Sequence, residues 1–97
     1  MESVSQRNAR QKAGEYLSIM AFSRSGLIGQ LEYDGFPDSD AAYGVDANNV
    51  DWNQQAAAKA ADYLNTMSFS RSGLITQLLY DGFSQTQADY GVSTTGL

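Results

Sequence analysis

Cysteine and histidine are both absent from this 97-residue chain. Their absence removes zinc fingers, thiol nucleophiles, disulfide scaffolds and imidazole acid–base catalysis together. Basic residues are also scarce, with six Lys and Arg against eleven Asp and Glu, for a net charge of −5. Phosphate backbones are gripped mainly by Lys and Arg, so nucleic acid is a poor partner for such a chain. Long apolar runs are missing too: no stretch approaches the roughly 18 residues that span a bilayer. The opening MESVSQRNARQK contains no apolar segment of the signal-peptide kind. A soluble, non-enzymatic protein without cofactor or metal is expected.

What remains is enough to fold. The composition is 42% hydrophobic and 11% aromatic, too rich for a disordered chain. The length suits one domain, whereas halves of it are too small to bury much core. Charge is uneven: residues 1–31 carry a net +2 and residues 32–97 a net −7.

The dominant feature is an internal repeat. AFSRSGLIGQLEYDGF at 21–36 recurs as SFSRSGLITQLLYDGF at 68–83, an offset of 47 residues. Residues 9–45 and 56–92 align without a gap, with 23 identities in 37 positions, which marks a duplication. The fold expected is all-α, a tandem repeat of two three-helix, helix-turn-helix-like units. The first repeat is placed at 5–46 and the second at 51–93, with 47–50 a short linker.

Within each copy the apolar spacing predicts the elements. Ala9, Lys12, Ala13, Tyr16, Leu17 and Met20, like Ala56, Lys59, Ala60, Tyr63, Leu64 and Met67, follow helical periodicity. First helices are therefore expected near 5–20 and 52–67, capped by Ser5 and by Asp51 with Gln54. Ser23 and Ser70 can open second helices carrying Leu27, Ile28 and Leu31, or Leu74, Ile75 and Leu78. Asp34-Gly35 and Asp81-Gly82 should end them, glycine supplying the left-handed conformation. A short third helix begins at Pro37 or at the Ser84/Gln87 capping box, with Gly44 and Gly91 expected to weaken its end. Residues up to Ser3 and from Thr94 onward are expected to fray. Trp52, the one tryptophan, is expected to pack one unit against the other.

Several constellations carry a bland reading alongside a sharper one. The second and third helices resemble a DNA-binding helix-turn-helix, but the segments 37–45 and 84–92 hold three acids and no base, which argues against a groove-reading role. Arg24 and Arg71, in the first turns of their helices, call for a local salt bridge to Asp34, Asp81 or another nearby acid, a partner contact being the alternative. The six tyrosines, Tyr16, Tyr33, Tyr43, Tyr63, Tyr80 and Tyr90, could form an exposed interface but are expected mostly to pack in the core. Asp38 and Asp40 fit neither the spacing of a calcium loop nor a glycosidase pair in a cleft.

The string FSRSGLIxQLxYDGF followed by QAxYGV and preceded by KAxxYLxxM resembles the Ltp-type family of host cell surface-exposed lipoproteins. The likeness covers about 85 of the 97 residues in two consecutive repeats. It implies an exported lipoprotein on the outer face of a Gram-positive cell membrane, held by a lipid-modified cysteine that these residues lack. The first ten or so residues would then belong to a polar spacer, with the basic segment facing anionic lipid and the acidic remainder projecting outward.

Phage-encoded relatives act in superinfection exclusion, so the implied partner is an incoming phage tail component such as the tape measure protein. The expectation is a monomer that contacts a basic segment of that partner through Asp34, Asp38, Asp40, Asp81 and Asp89. The alternatives are a cell-envelope interaction or adhesion module unrelated to phage, and a cell-wall hydrolase, which would need a catalytic acid in a cleft.

Overall fold

The computed structural model describes residues 1–97. It contains six helices and no strand: α1 (Val4–Ile19), α2 (Arg24–Tyr33), α3 (Asp38–Asp46), α4 (Trp52–Thr66), α5 (Arg71–Tyr80) and α6 (Gln85–Ser93). They divide into two compact units, one comprising Met1–Met20 and Arg24–Val50, the other Ala21–Ser23 and Asp51–Leu97. In each unit the first helix lies mainly along the third, and the second helix closes over both.

The ends of the helices follow from local chemistry. Asp51 caps α4 by accepting from the backbone N–H groups of Asn53 and Gln54, and Ser70 caps α5 by accepting from Gly73 N–H. Ser84 and Gln87 form a complete capping box at α6. At the start of α1 the cap is Ser3 rather than Ser5, because Gln6 stands three residues after Ser3 and completes a capping box of its own. Ser5 lies inside the helix and instead donates to the Asp40 carboxylate at 2.6 Å.

Both α2 and α5 end as expected, with Gly35 at φ 104° and Gly82 at φ 101°. Phe36 N–H returns to the Leu31 carbonyl and Gly35 N–H to Glu32, and the same pair of bonds recurs from Phe83 to Leu78 and Gly82 to Leu79. This is a Schellman turn, which aims the chain into the next helix.

Residues 1–3 and 94–97 lie outside the helices, and both ends are bonded back to the fold. Glu2 accepts two hydrogen bonds from the Arg10 guanidinium, at 2.8 and 3.0 Å, and one from Tyr43 Oη at 2.7 Å. Those bonds, chiefly the one from Arg10, hold the Glu2 carboxyl down at about 2. At the other end Thr94 and Thr95 donate to the Gly91 and Val92 carbonyls, and Arg71 reaches the Leu97 carbonyl at 2.7 Å. At Glu2 and at Leu97 the partners lie eight or more residues away.

The core of each unit is small in both senses. The first buries Ala9, Ala13, Leu27, Leu31, Ala41 and Val45 completely; the second buries Ala56, Ala60, Leu74, Leu78, Ala88 and Val92, with Phe83 3% exposed. Gly44 and Gly91 sit inside this packing and do not loosen the helix end. A Cβ added at Gly44 would lie 2.5 Å from the Ala9 carbonyl carbon, and one at Gly91 would lie 2.7 Å from that of Ala56. The glycines let two backbones touch, which outweighs their low helix propensity.

Gly44→Ala or Gly91→Ala must therefore push α3 off α1, or α6 off α4. We expect a loss of about 1–3 kcal/mol in urea unfolding from such overpacking. Gly29, which has open space around its Cβ position on α2, serves as the control, and Gly29→Ala should stabilise by about 0.5–1 kcal/mol.

Candidate partner-binding surface

The one acid identical in both repeats, Asp34 and its copy Asp81, sits just past the ends of α2 and α5. Each is held by the same pair of side chains. Tyr16 Oη donates to Asp34 Oδ2 at 2.6 Å, and Gln30 Nε2 reaches both Tyr16 Oη (3.3 Å) and Asp34 Oδ1 (3.4 Å). In the second unit Tyr63 Oη donates to Asp81 Oδ2 at 2.6 Å, with Gln77 Nε2 at 3.2 Å from Tyr63 Oη and 3.3 Å from Asp81 Oδ1.

The spacing has a simple origin. Gln30 precedes Asp34 by one helical turn, so both point the same way, and the Schellman turn brings the carboxylate against the first helix. Lys12 and Lys59 complete each group, with Nζ at 5.5 and 5.6 Å from the Tyr16 and Tyr63 ring centres. The tyrosines respond to their surroundings. The bond to Asp34 raises the Tyr16 hydroxyl, while burial followed by the bond to Asp81 pushes Tyr63 up to about 12.

The other expected contact residues divide by exposure. Asp38 and Asp89 are exposed, whereas Asp40 is half-buried. Asp38 and Asp40 occupy the first turn of α3, where the helix dipole favours negative charge. Asp40 is tethered by Ser5 and Asp89 by Gln85 at 2.9 Å. Asp34 also lines an open hollow of about 380 Å³, together with Val4, Ser5, Asn8, Gly35, Phe36 and Pro37. Within the first unit the Asp34 wall of the hollow and the Ser5–Asp40 bond are therefore neighbours through Ser5.

Three features of this surface differ from the sequence reading or escaped it. Tyr33 and Tyr80 are not core residues: they are 87% and 86% exposed at the last positions of α2 and α5. Their place in the helical period was ambiguous, because each adjoins the Asp-Gly turn, where one residue of phase shift separates core from solvent. Arg24 finds its acid in Asp46, through two bonds of 2.8 and 2.9 Å, and these hold the Asp46 carboxyl below its usual range. The residue equivalent to Asp46 in the second copy is Ser93, so Arg71 takes the Leu97 carbonyl instead. Glu32, beside Tyr33, is an exposed acid that the turn-centred reading passed over.

The host cell surface-exposed lipoprotein family matches residues 5–47 and 51–94. Among solved structures the chain is similar to "Ltp, a superinfection exclusion protein from the Streptococcus thermophilus temperate phage TP-J34". The two share 34% identity and a TM-score of 0.89, over 96% of this chain and 97% of that one. No curated protein matches the chain. No helix is long and apolar enough to cross a membrane.

Because the Tyr63 hydroxyl titrates at about 12 when folded and near 10 when unfolded, its contribution is complete below pH 10. It is lost as pH rises through 12. Chemical unfolding between those values should show stability falling with pH, and Tyr63→Phe should flatten that fall while costing about 1 kcal/mol at neutral pH. With both repeats matched and a solved relative superposing over nearly the whole chain, this protein belongs to the host cell surface-exposed lipoprotein family.

Proposed function

We propose that this chain is the non-catalytic, surface-exposed binding domain of a lipoprotein that blocks phage DNA injection by capturing an incoming tail component. The tape measure protein is the candidate partner. The observation that carries the reading is its likeness, along almost its full length, to a superinfection exclusion protein of a temperate phage.

The chemistry of the surface supports the same direction. A net charge of −5 favours a basic partner and speeds its encounter. Asp38 and Asp89 are the most available contacts, exposed at the first turn of α3 and on α6. Asp34, Asp40 and Asp81 are already bonded within their units, but a carboxylate has about four acceptor positions and can take a Lys or Arg besides. In this reading Asp34, Asp38, Asp40, Asp81 and Asp89 form the partner-binding set. Tyr33 and Tyr80 lie next to Asp34 and Asp81 in the chain and add exposed aromatic area of the kind enriched at interfaces.

The test is a phage challenge of a host displaying the lipidated full-length protein, with adsorption and DNA entry measured separately. Normal adsorption with blocked entry is expected. Asp38→Lys, Asp40→Lys and Asp89→Lys combined should abolish protection while circular dichroism still reports a folded helical protein. Unchanged plaque formation by the triple variant would remove these acids from the binding surface, and failure of the parent protein to protect would favour an envelope role unrelated to phage.

A further inference from the structure

The second unit holds a short extended segment that has no counterpart in the first. Residues 21–23 belong to it: Phe22 N–H donates to Gln55 Oε1 at 2.9 Å, and Ser23 Oγ donates to the Asp81 carbonyl at 2.6 Å. Ala21 and Ser23 are 8% and 3% exposed, and Phe83 of the same unit is buried.

Translated by 47 residues, the receiving groups Gln55 and Asp81 become Asn8 and Asp34 of the first unit, and the neighbouring Phe83 becomes Phe36. All three line the open hollow of about 380 Å³, and there Phe36 is only half-buried. The inserted segment has a twin as well. Residues 68–70, Ser-Phe-Ser, repeat Ala-Phe-Ser, and Ser68 and Ser70 are exposed. The entry conformation is also shared: Met20 has φ −145°, ψ 156° and Met67 has φ −142°, ψ 161°. One chain thus displays an open receiving site in its first unit and, in its second, the matching segment, with Ser68 and Ser70 exposed and the Phe69 ring half-buried against Tyr63 of its own unit.

We propose that the hollow of the first unit receives residues 68–70 of a second copy of this chain, giving head-to-tail self-association. Phe69 N–H bonds to Asn8 Oδ1, and Ser70 Oγ bonds to the Asp34 carbonyl, as Phe22 and Ser23 do with Gln55 and Asp81. The donor and acceptor surfaces are different patches, so the contact is heterologous and builds rings or open chains, not a two-fold dimer. The contact is small and each encounter is bimolecular, so the dissociation constant is roughly millimolar. Asn8 is one methylene shorter than Gln55, which weakens the bond further and gives the test its handle.

The experiment is nitrogen-15 NMR of the whole chain from dilute solution to about 2 mM, with diffusion coefficients measured in parallel. A peptide of residues 66–71 (TMSFSR) is titrated separately to about 10 mM. Concentration-dependent shifts are expected at Asn8, Gly35, Phe36, Phe69 and Ser70, and the peptide should move the first three. Asn8→Gln should tighten the association about 3- to 10-fold and Asn8→Ala should weaken it by a similar factor, the range of one hydrogen bond. Asn8 is exposed on α1, so neither change threatens the fold. The proposal is overturned by a silent hollow in both titrations, by self-association mapped to other residues, or by indifference to both Asn8 variants.

Discussion

Backbone contact between the first and third helix of each unit is the constraint on which the rest depends. Ala9 meets Gly44, and Ala56 meets Gly91, at a separation that leaves no room for a single added carbon. Units of this size bury little apolar area, so they gain dispersion energy by close approach rather than by large side chains. That approach fixes the third helix along the first. The leucines of the second helix then have one surface to close over, and the Schellman turn at Gly35 or Gly82 places the aspartate against the tyrosine of the first helix.

The acidity of the chain serves two purposes. Glu2, Asp34, Asp46, Asp51 and Asp81 are each bonded to a particular partner within the fold, as cap, ion-pair member or tyrosine acceptor. Asp38 and Glu32 are exposed and add to the negative field that a basic partner would meet. The aspartate identical in both repeats is thus explained first by folding. Asp34 and Asp81 persist through the duplication because Tyr16, Tyr63, Gln30 and Gln77 persist with them.

The two units also show how duplication diverges. The Arg24–Asp46 pair loses its acid at Ser93, and Arg71 turns to a backbone carbonyl. The Glu2–Arg10–Tyr43 cluster has no equivalent, since Arg10 is matched by Ala57; Tyr90 instead accepts from Gln54 at 3.0 Å. Each substitution rewires a surface bond while the alanine, glycine and leucine positions of the core stay the same.

Residue order alone determined the six helices, most of their caps and the glycine turns, because those depend on groups within about four residues of one another. It also carried the duplication and the family resemblance. It misplaced the Ser3 cap, the exposed Tyr33 and Tyr80 and the role of Gly44 and Gly91, and it did not show the bonds that reach Glu2 and Leu97. The Ser3 cap rests on the local Gln6, but each of the others turns on partners or helix faces set by packing: Glu2 on Tyr43, Gly44 on Ala9, Thr95 in a terminal turn braced by Arg71 at Leu97. Only the tertiary structure decided which carboxylates are engaged and which face solvent, because a hydrogen bond between residues 18 or 35 apart exists only after the helices have packed.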